Sequence, residues 1–271
     1  MKKFLKILFF IILLIFLTFM YARYIGTKGL KVNEYKITSN KITNSYHGLK
    51  IVQISDLFYG NTIFEQELSN IVDKINELKP DIVVMTGNLT GDNYDKDIMI
   101  KYLSKISVTI GKYAISGDYD KDYEEIINQS NFTNLNNNYE LIYKSNIPII
   151  ISGIDSTNID IGIKTESFDK YISESEIKPI YSILLTNKPD YVDNLNLDNY
   201  DLILAGFSLN GNINLPYIKT LFLNDGAKKY YNNYYKLNNT DLYINSGLGT
   251  NSIKLRLFNR PTINFYRITN K

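Results

Sequence analysis

Apolar positions along this chain fall into short blocks, and the blocks end repeatedly on the same kinds of residue. Lys50–Ile54 is a short apolar strand that stops at Ser55-Asp56. Phe64, Leu68, Ile71, Val72, Ile75 and Leu78 then recur at the spacing of one helix face, and Pro80 ends that helix. Ile82–Met85 reads as a buried strand ending at Thr86-Gly87-Asn88. A second helical pattern carries Ile98, Tyr102, Leu103 and Ile106, and Tyr113–Ile115 is a third strand ending at Ser116-Gly117-Asp118. Beyond it the chain is richer in strands. Candidates are Glu140–Tyr143, Ile147–Ile151, Ile180–Leu185, Leu202–Leu204, Leu242–Ile244, Lys254–Phe258 and Ile263–Ile268, with few long helices between them. Lys228–Lys236 is low in complexity and reads as a surface loop or ragged helix. A β-α-β-α-β half joined to a mostly β half fits a two-sheet sandwich with helices outside.

The N-terminus follows a different pattern. Lys2, Lys3 and Lys6 precede an apolar run from Ile7 to Tyr21, interrupted by Thr18. With Phe4 and Leu5 the run approaches the roughly 20 residues that cross a bilayer core. A cleaved signal peptide needs a small-x-small site after the run, whereas Met20-Tyr21-Ala22-Arg23-Tyr24 is bulky and basic. The expectation is an uncleaved signal anchor that holds the protein in the membrane through residues 4–21. Lysines at positions 2–6 favour a cytoplasmic N-terminus and an extracytoplasmic domain; Arg23, Lys28 and Lys31 on the other flank pull against that orientation. The chain then divides into an anchor (1–25), a tether with an edge strand (26–48, the strand from Glu34 to Ser39) and one domain (49–271).

Composition narrows the chemistry. The chain has 271 residues, a net charge of +2, no cysteine and one histidine, His47. No basic stripe points to nucleic acid. Without cysteine there is no disulfide, thiolate metal site or thiol nucleophile. The single histidine lies before the first strand, outside the strand-end loops, and reads as an ordinary surface residue.

Those loops carry the candidate chemistry. They are Ser55-Asp56-Leu57-Phe58, Thr86-Gly87-Asn88-Leu89, Gly117-Asp118-Tyr119-Asp120, Thr186-Asn187-Lys188-Pro189 and Ala205-Gly206-Phe207-Ser208-Leu209-Asn210-Gly211. Asp, Asn and Gly end strands well wherever they occur. In open α/β sheets, however, the ligand crevice lies beyond the carboxyl ends of the strands, so these loops can meet in one place. Their order resembles the calcineurin-like metallophosphoesterases, most closely the membrane-attached bacterial branch. That family pattern is S-D-x-H, T-G-D, G-N-H-D, a lone His before Pro, and G-H-x-H-G-G. Leu184–Asp190, Ser246-Gly247-Leu248-Gly249-Thr250 and Arg256-Leu257-Phe258-Asn259-Arg260-Pro261 extend the resemblance outside the ligand positions.

The resemblance implies a two-sheet sandwich flanked by helices (α/β/β/α), preceded by a transmembrane helix. It also implies a hydrolase in which two divalent ions hold an attacking hydroxide. Carried over by position, the metal ligands would be Asp56, Phe58, Asn88, Asp118, Asn187, Phe207 and Leu209, with Tyr119 at the His that assists the leaving group. Only Asp56 keeps the family's residue. Phe and Leu offer no lone pair to a transition metal, and the imidazoles that suit zinc or iron are replaced. Asn88 is neutral and bridges two dications poorly.

The expectation is therefore no cofactor, or at most one weakly held Mg²⁺ or Ca²⁺ on the oxygens of Asp56, Asn88, Asp118 and Asn187. No two-metal centre is expected. Lys188 is a candidate to neutralise Asp56 and Asp118. The favoured function is a membrane-anchored pseudoenzyme that binds or scaffolds an unidentified protein, envelope or lipid partner, with Phe58, Phe207 and Leu209 packed into the former metal cavity. The alternatives are an active phosphoesterase with a single hard cation, and a plain tethered structural protein.

Overall fold

The computed structural model describes residues 2–157, 159–214 and 223–271. Helix α1, Lys2–Tyr24, is long and apolar enough to cross a membrane, and its apolar side chains point away from the protein. A signal sequence passes the same test of length and composition.

Among the described residues, twelve strands form two six-stranded sheets. The first sheet is built from β1 (Lys31–Ser39), β2 (Leu49–Ile54), β3 (Ile82–Thr86), β4 (Gly111–Ile115), β5 (Thr133–Asn134) and β12 (Thr262–Asn270), in the order β1-β12-β2-β3-β4-β5. Strand β12 runs parallel to β1 and antiparallel to β2, and β2 through β5 are parallel. The second sheet comprises β6 (Asn138–Lys144), β7 (Ile147–Ile154), β8 (Ser182–Thr186), β9 (Leu202–Ala205), β10 (Tyr234–Leu237) and β11 (Thr240–Ile244), in the order β10-β11-β9-β8-β7-β6.

The layers follow from side-chain alternation. In β3, Val83 and Met85 face α2 (Glu65–Glu77), α3 (Lys96–Leu103) and α4 (Tyr123–Gln129), in a core with Leu68, Ile71, Met99 and Ile126. Its Ile82 and Val84 face the second sheet, where Ile183, Leu185 and Leu204 meet them. A third core covers the far face of that sheet, with Phe168 of α5 (Ile161–Glu174) against Ile150, Leu184 and Ile203. Strands buried on both faces are continuous apolar runs, as the sequence has them. The α/β/β/α architecture is the one expected.

Three local expectations are corrected. Lys254–Phe258 is not a strand: Leu257 makes one isolated bridge to Ile213, Arg256 is fully buried and Phe258 is 68% exposed. Of the two readings of Lys228–Lys236, the loop holds as far as Asn233 and the ragged helix does not; from Tyr234 the stretch enters the β10–β11 hairpin. Helix α5 was not expected, because its buried face consists of Ile161, Lys164, Thr165 and Phe168. The spacing is helical, but two of the four are polar. Lys164 is buried against Asp155 (2.8 Å) and donates to the carbonyls of Asp155 and Thr157.

Candidate functional site

The carboxyl ends of β2, β3, β8 and β9 converge across the sandwich. Gln53 donates to the Ala205 carbonyl (2.8 Å), and Asn187 donates to the Thr86 carbonyl (2.7 Å). Loops from both sheets thereby enclose Asp56, which is fully buried. Its backbone N–H donates to the Gly87 carbonyl at 2.9 Å. Its Oδ1 accepts from Asn88 Nδ2 at 2.7 Å, and its Oδ2 accepts from the Phe207 N–H at 2.8 Å. Burial pushes the Asp56 carboxyl up to about 6, against the opposing pull of hydrogen bonds from Asn88, Ser55 and Phe207 and of the Arg256 charge.

The other ligand positions surround this carboxylate unevenly. Phe58, Phe207 and Leu209 are buried. The Phe58 ring packs against Tyr119 with centroids 5.8 Å apart. A methyl of Leu209 and the Asp56 Cβ lie 2.7 and 2.9 Å from where a Gly247 side chain would begin, so only glycine fits there. Gly117 is equally confined, since a Cβ would come 2.2 Å from Asn88 Oδ1. Asn187 is fully buried, and its Oδ1 has no partner among the described residues.

Asp118 is not turned to Asp56; its Oδ1 pairs with Lys188 at 2.9 Å. The expected neutralising role of Lys188 thus falls on Asp118. Lys188 also stands 5.7 Å above the Phe207 ring. Tyr119 is 46% exposed at the rim. His47 is on the surface against Asn270, away from the loops.

The backbone of these loops is unusual. Asp56 (φ 49°), Phe58 (φ 41°), Asn88 (φ 58°), Phe207 (φ 65°) and Leu209 (φ 46°) all adopt the left-handed conformation. Each costs an L-residue on the order of 1–2 kcal/mol, and such strain concentrates at sites the fold over-determines. Five of the seven positions named from the resemblance carry it.

Two residues here had not been singled out. Asp120 accepts backbone N–H bonds from Asn88 (3.0 Å), Leu89 (2.5 Å), Thr90 (3.2 Å) and Gly117 (2.7 Å), and so ties the β3 and β4 loops together. Burial raises its carboxyl, and the four N–H groups oppose the rise. Its only sequence signal was its place after Asp118-Tyr119. Arg256, buried among carbonyls of Ser246 and Gly249, stood in the Arg256–Pro261 match, but nothing in the sequence placed it beside the crevice. Beside the rim lies a cleft of about 260 Å³ lined by Phe58, Thr90, Asp118, Tyr119, Asp120 and Lys121 among others.

No protein-family model matches the chain. It is 29% identical over 261 residues to the uncharacterized metallophosphoesterase YkuE of Bacillus subtilis (strain 168), covering 92% of this chain and 88% of that one. It is 24% identical to the transmembrane protein with metallophosphoesterase domain of Danio rerio, over 86% of this chain and 56% of that protein. Among solved structures, the Haemophilus influenzae NAD nucleotidase (NadN) superposes with a TM-score of 0.52 at 12% identity, over 74% of this chain and 45% of that chain. The last likeness concerns the fold alone.

The comparisons correct the cofactor expectation. Relatives across this group carry the metallophosphoesterase name, and that family uses divalent metal ions, so neither "no cofactor" nor a lone weak Mg²⁺ or Ca²⁺ follows from kinship. The donors present fit a two-ion centre poorly. Among the described residues, no three His, Cys, Asp or Glu side chains come together to hold an ion. Asp56 is engaged by Asn88 and Phe207, and Asp118 by Lys188.

Proposed function

The chain belongs to the metallophosphoesterase family, and from that premise we propose that it is a membrane-anchored member whose crevice binds or scaffolds a partner rather than hydrolysing phosphoesters. The observation that carries the reading is the burial of Phe58, Phe207 and Leu209 around Asp56, at 2%, 4% and 2% exposure. These side chains supply packing where the family pattern has imidazoles, and none can ligate an ion or move a proton. Tyr119, at the leaving-group position, packs its ring at a 60° tilt against Phe58. The strained loops persist, so the crevice keeps its shape while its chemistry changes.

The anchor is residues 1–25, crossing the membrane through residues 4–21; residues 26–48 are the tether and carry the edge strand β1, and residues 49–271 make up the rest of the domain. Support for a retained helix comes from its docked end. Ala22 is buried, its carbonyl accepts from the Arg256 N–H at 3.0 Å, and Arg23 donates to the Lys254 carbonyl at 3.4 Å. Lys2, Lys3 and Lys6 favour a cytoplasmic N-terminus, leaving the domain extracytoplasmic. The test is turnover of generic phosphomonoesters and diesters by the full chain and by Asp56→Ala. The reading expects no turnover in either; turnover that Asp56→Ala abolishes overturns it.

A further inference from the structure

The segment Arg256–Pro261 supplies none of the ligand positions of the crevice, yet it meets the end of α1. A cavity of about 550 Å³ opens there between the end of α1 and the domain. Lys31, Arg256 and Arg260 line it, together with the amides of Asn33, Asn210 and Asn233, and no acidic residue does. Arg256 is fully buried at this wall, and its guanidinium bonds are to the carbonyls of Ser246, Gly249 and Arg260. Arg256 Nε and Asn210 Oδ1, on two of the residues that line the cavity, are buried and unpartnered among the described residues. None of the three cations pairs directly with a carboxylate among the described residues. Arg256 feels the Asp56 charge from the crevice side, but Asp56 is not in the cavity wall, and the two cations at the mouth have no carboxylate partner among the described residues, so the cavity itself lacks an anion.

A second groove adjoins the first, and it is apolar. Leu17, Thr18 and Tyr21 of α1 form one wall, and Leu257 and Phe258 the other. Tyr21 and Phe258 line both spaces, so a polar cavity opens directly onto an apolar track along the helix. Phe258 is held 68% exposed with φ 55°, Tyr21 beside it is exposed, and so are Tyr24 and Ile25 at the end of the helix. Exposed aromatics at the end of an apolar helix sit at the level of lipid headgroups. Holding Phe258 outward in a left-handed conformation places a hydrophobic side chain where a soluble surface gains nothing from it.

We propose that this two-part site binds an anionic membrane lipid, the phosphate head in the Lys31–Arg256–Arg260 cavity and one acyl chain along Leu17, Tyr21 and Phe258. The occupant is a lipid rather than a free anion because the cationic cavity continues into the apolar track. The proposal rests on α1 being a retained membrane anchor. It gives the protein a headgroup site beside the strand-end crevice, sharing Asn210 and Arg256 with its walls, and it fixes the domain's tilt on the bilayer.

The test uses the full chain purified in nonionic detergent. Native mass spectrometry counts retained phosphatidylglycerol against phosphatidylcholine, with millimolar inorganic phosphate as competitor. Expected is one phosphatidylglycerol retained with at least tenfold preference over phosphatidylcholine. Lys31→Gln with Arg260→Gln, both at exposed positions, is expected to remove the preference. Phe258→Ser is expected to lower phosphatidylglycerol retention severalfold. Equal retention of the two lipids overturns the proposal, as does a preference unchanged by the double variant. Displacement by inorganic phosphate together with indifference to Phe258→Ser means a free-anion site and also overturns it. Alkaline carbonate extraction of membranes reports on the anchor independently. A chain that stays in the pellet but shows no lipid preference refutes the lipid site alone, and a chain released to the supernatant refutes the anchor.

Discussion

Replacing Asp120 by asparagine tests what holds the crevice loops in their strained form. One carboxylate oxygen, Oδ2, serves the N–H groups of Asn88 and Gly117; the other, Oδ1, serves Leu89 and Thr90. An amide keeps the shape but turns an NH₂ toward one of these pairs, whichever way it is oriented. Two backbone donors lose their acceptor, at about 1–3 kcal/mol each when buried. The neighbouring cleft of about 260 Å³ admits water and offsets part of this. The expected loss is about 3 kcal/mol, which lowers Tm by roughly 6–12 °C in a domain of this size. Asp118→Asn is the matched control. Its ion pair with Lys188 is part-exposed and contributes only about 0–1 kcal/mol. Thermal and urea unfolding of both variants in detergent, followed by circular dichroism, gives the comparison. Equal losses in the two variants, or a loss below about 0.5 kcal/mol for Asp120→Asn, refute the idea that Asp120 staples the loops.

Other expectations follow from the same contacts. Asn88→Asp replaces a donor to Asp56 with a second carboxylate, and is expected to destabilise the fold by about 3 kcal/mol at neutral pH, less as the pH is lowered toward 5 and one carboxyl takes up a proton; urea titrations at the two pH values check it, and an unchanged midpoint contradicts it. Burial raises the Asp155 carboxyl, but the bonds from Lys164 and Thr157 outweigh it and leave the group below its ordinary 3.8. A depressed folded value contributes stability that is present above the ordinary value and lost as the pH falls through the lowered one. Asp155→Asn therefore costs about 3 kcal/mol at pH 7, with Lys164 left buried, and in unfolding measurements the gap to wild type should narrow as the pH falls below the ordinary 3.8 and close once the lowered folded value is passed. Because the chain has no cysteine, Lys271→Cys provides a single thiol; an impermeant maleimide should label it in intact cells, and labelling only after lysis reverses the orientation.

The fold was legible where the hydrophobic pattern was unmixed. Strands β2, β3 and β4 and helices α2 and α3 could be read because Val83, Met85, Leu68 and Ile71 are apolar on every buried side. Helix α5 was hidden because Lys164 and Thr165 occupy core positions, made tolerable by carbonyls and Asp155 that sequence spacing cannot locate. Lys254–Phe258 looked like a strand for the opposite reason: its apolar residues include Phe258, which points outward beside α1, while the charged Arg256 goes in. For the site, strand-end loops on one side of two sheets were enough to expect convergence. The pairings within it were not readable. Asp118 turning to Lys188, Asn88 donating to Asp56 and Asp120 gathering four N–H groups all depend on loop conformations set by tertiary contact. Motif matching also led to too narrow a cofactor expectation, which the relatives corrected.

The account's central claim is that the crevice has kept its form and given up hydrolysis. The direct measurement is phosphomonoester and phosphodiester turnover by the full chain, with Mn²⁺, Zn²⁺, Fe²⁺ and Mg²⁺ each supplied. It is run beside a variant carrying Phe58→His, Asn88→Asp, Asp118→Asn, Tyr119→His, Asn187→His, Phe207→His and Leu209→His. The account predicts no turnover above buffer for the wild-type chain with any ion. Turnover by the wild-type chain that depends on a supplied ion and disappears in Asp56→Ala would contradict it.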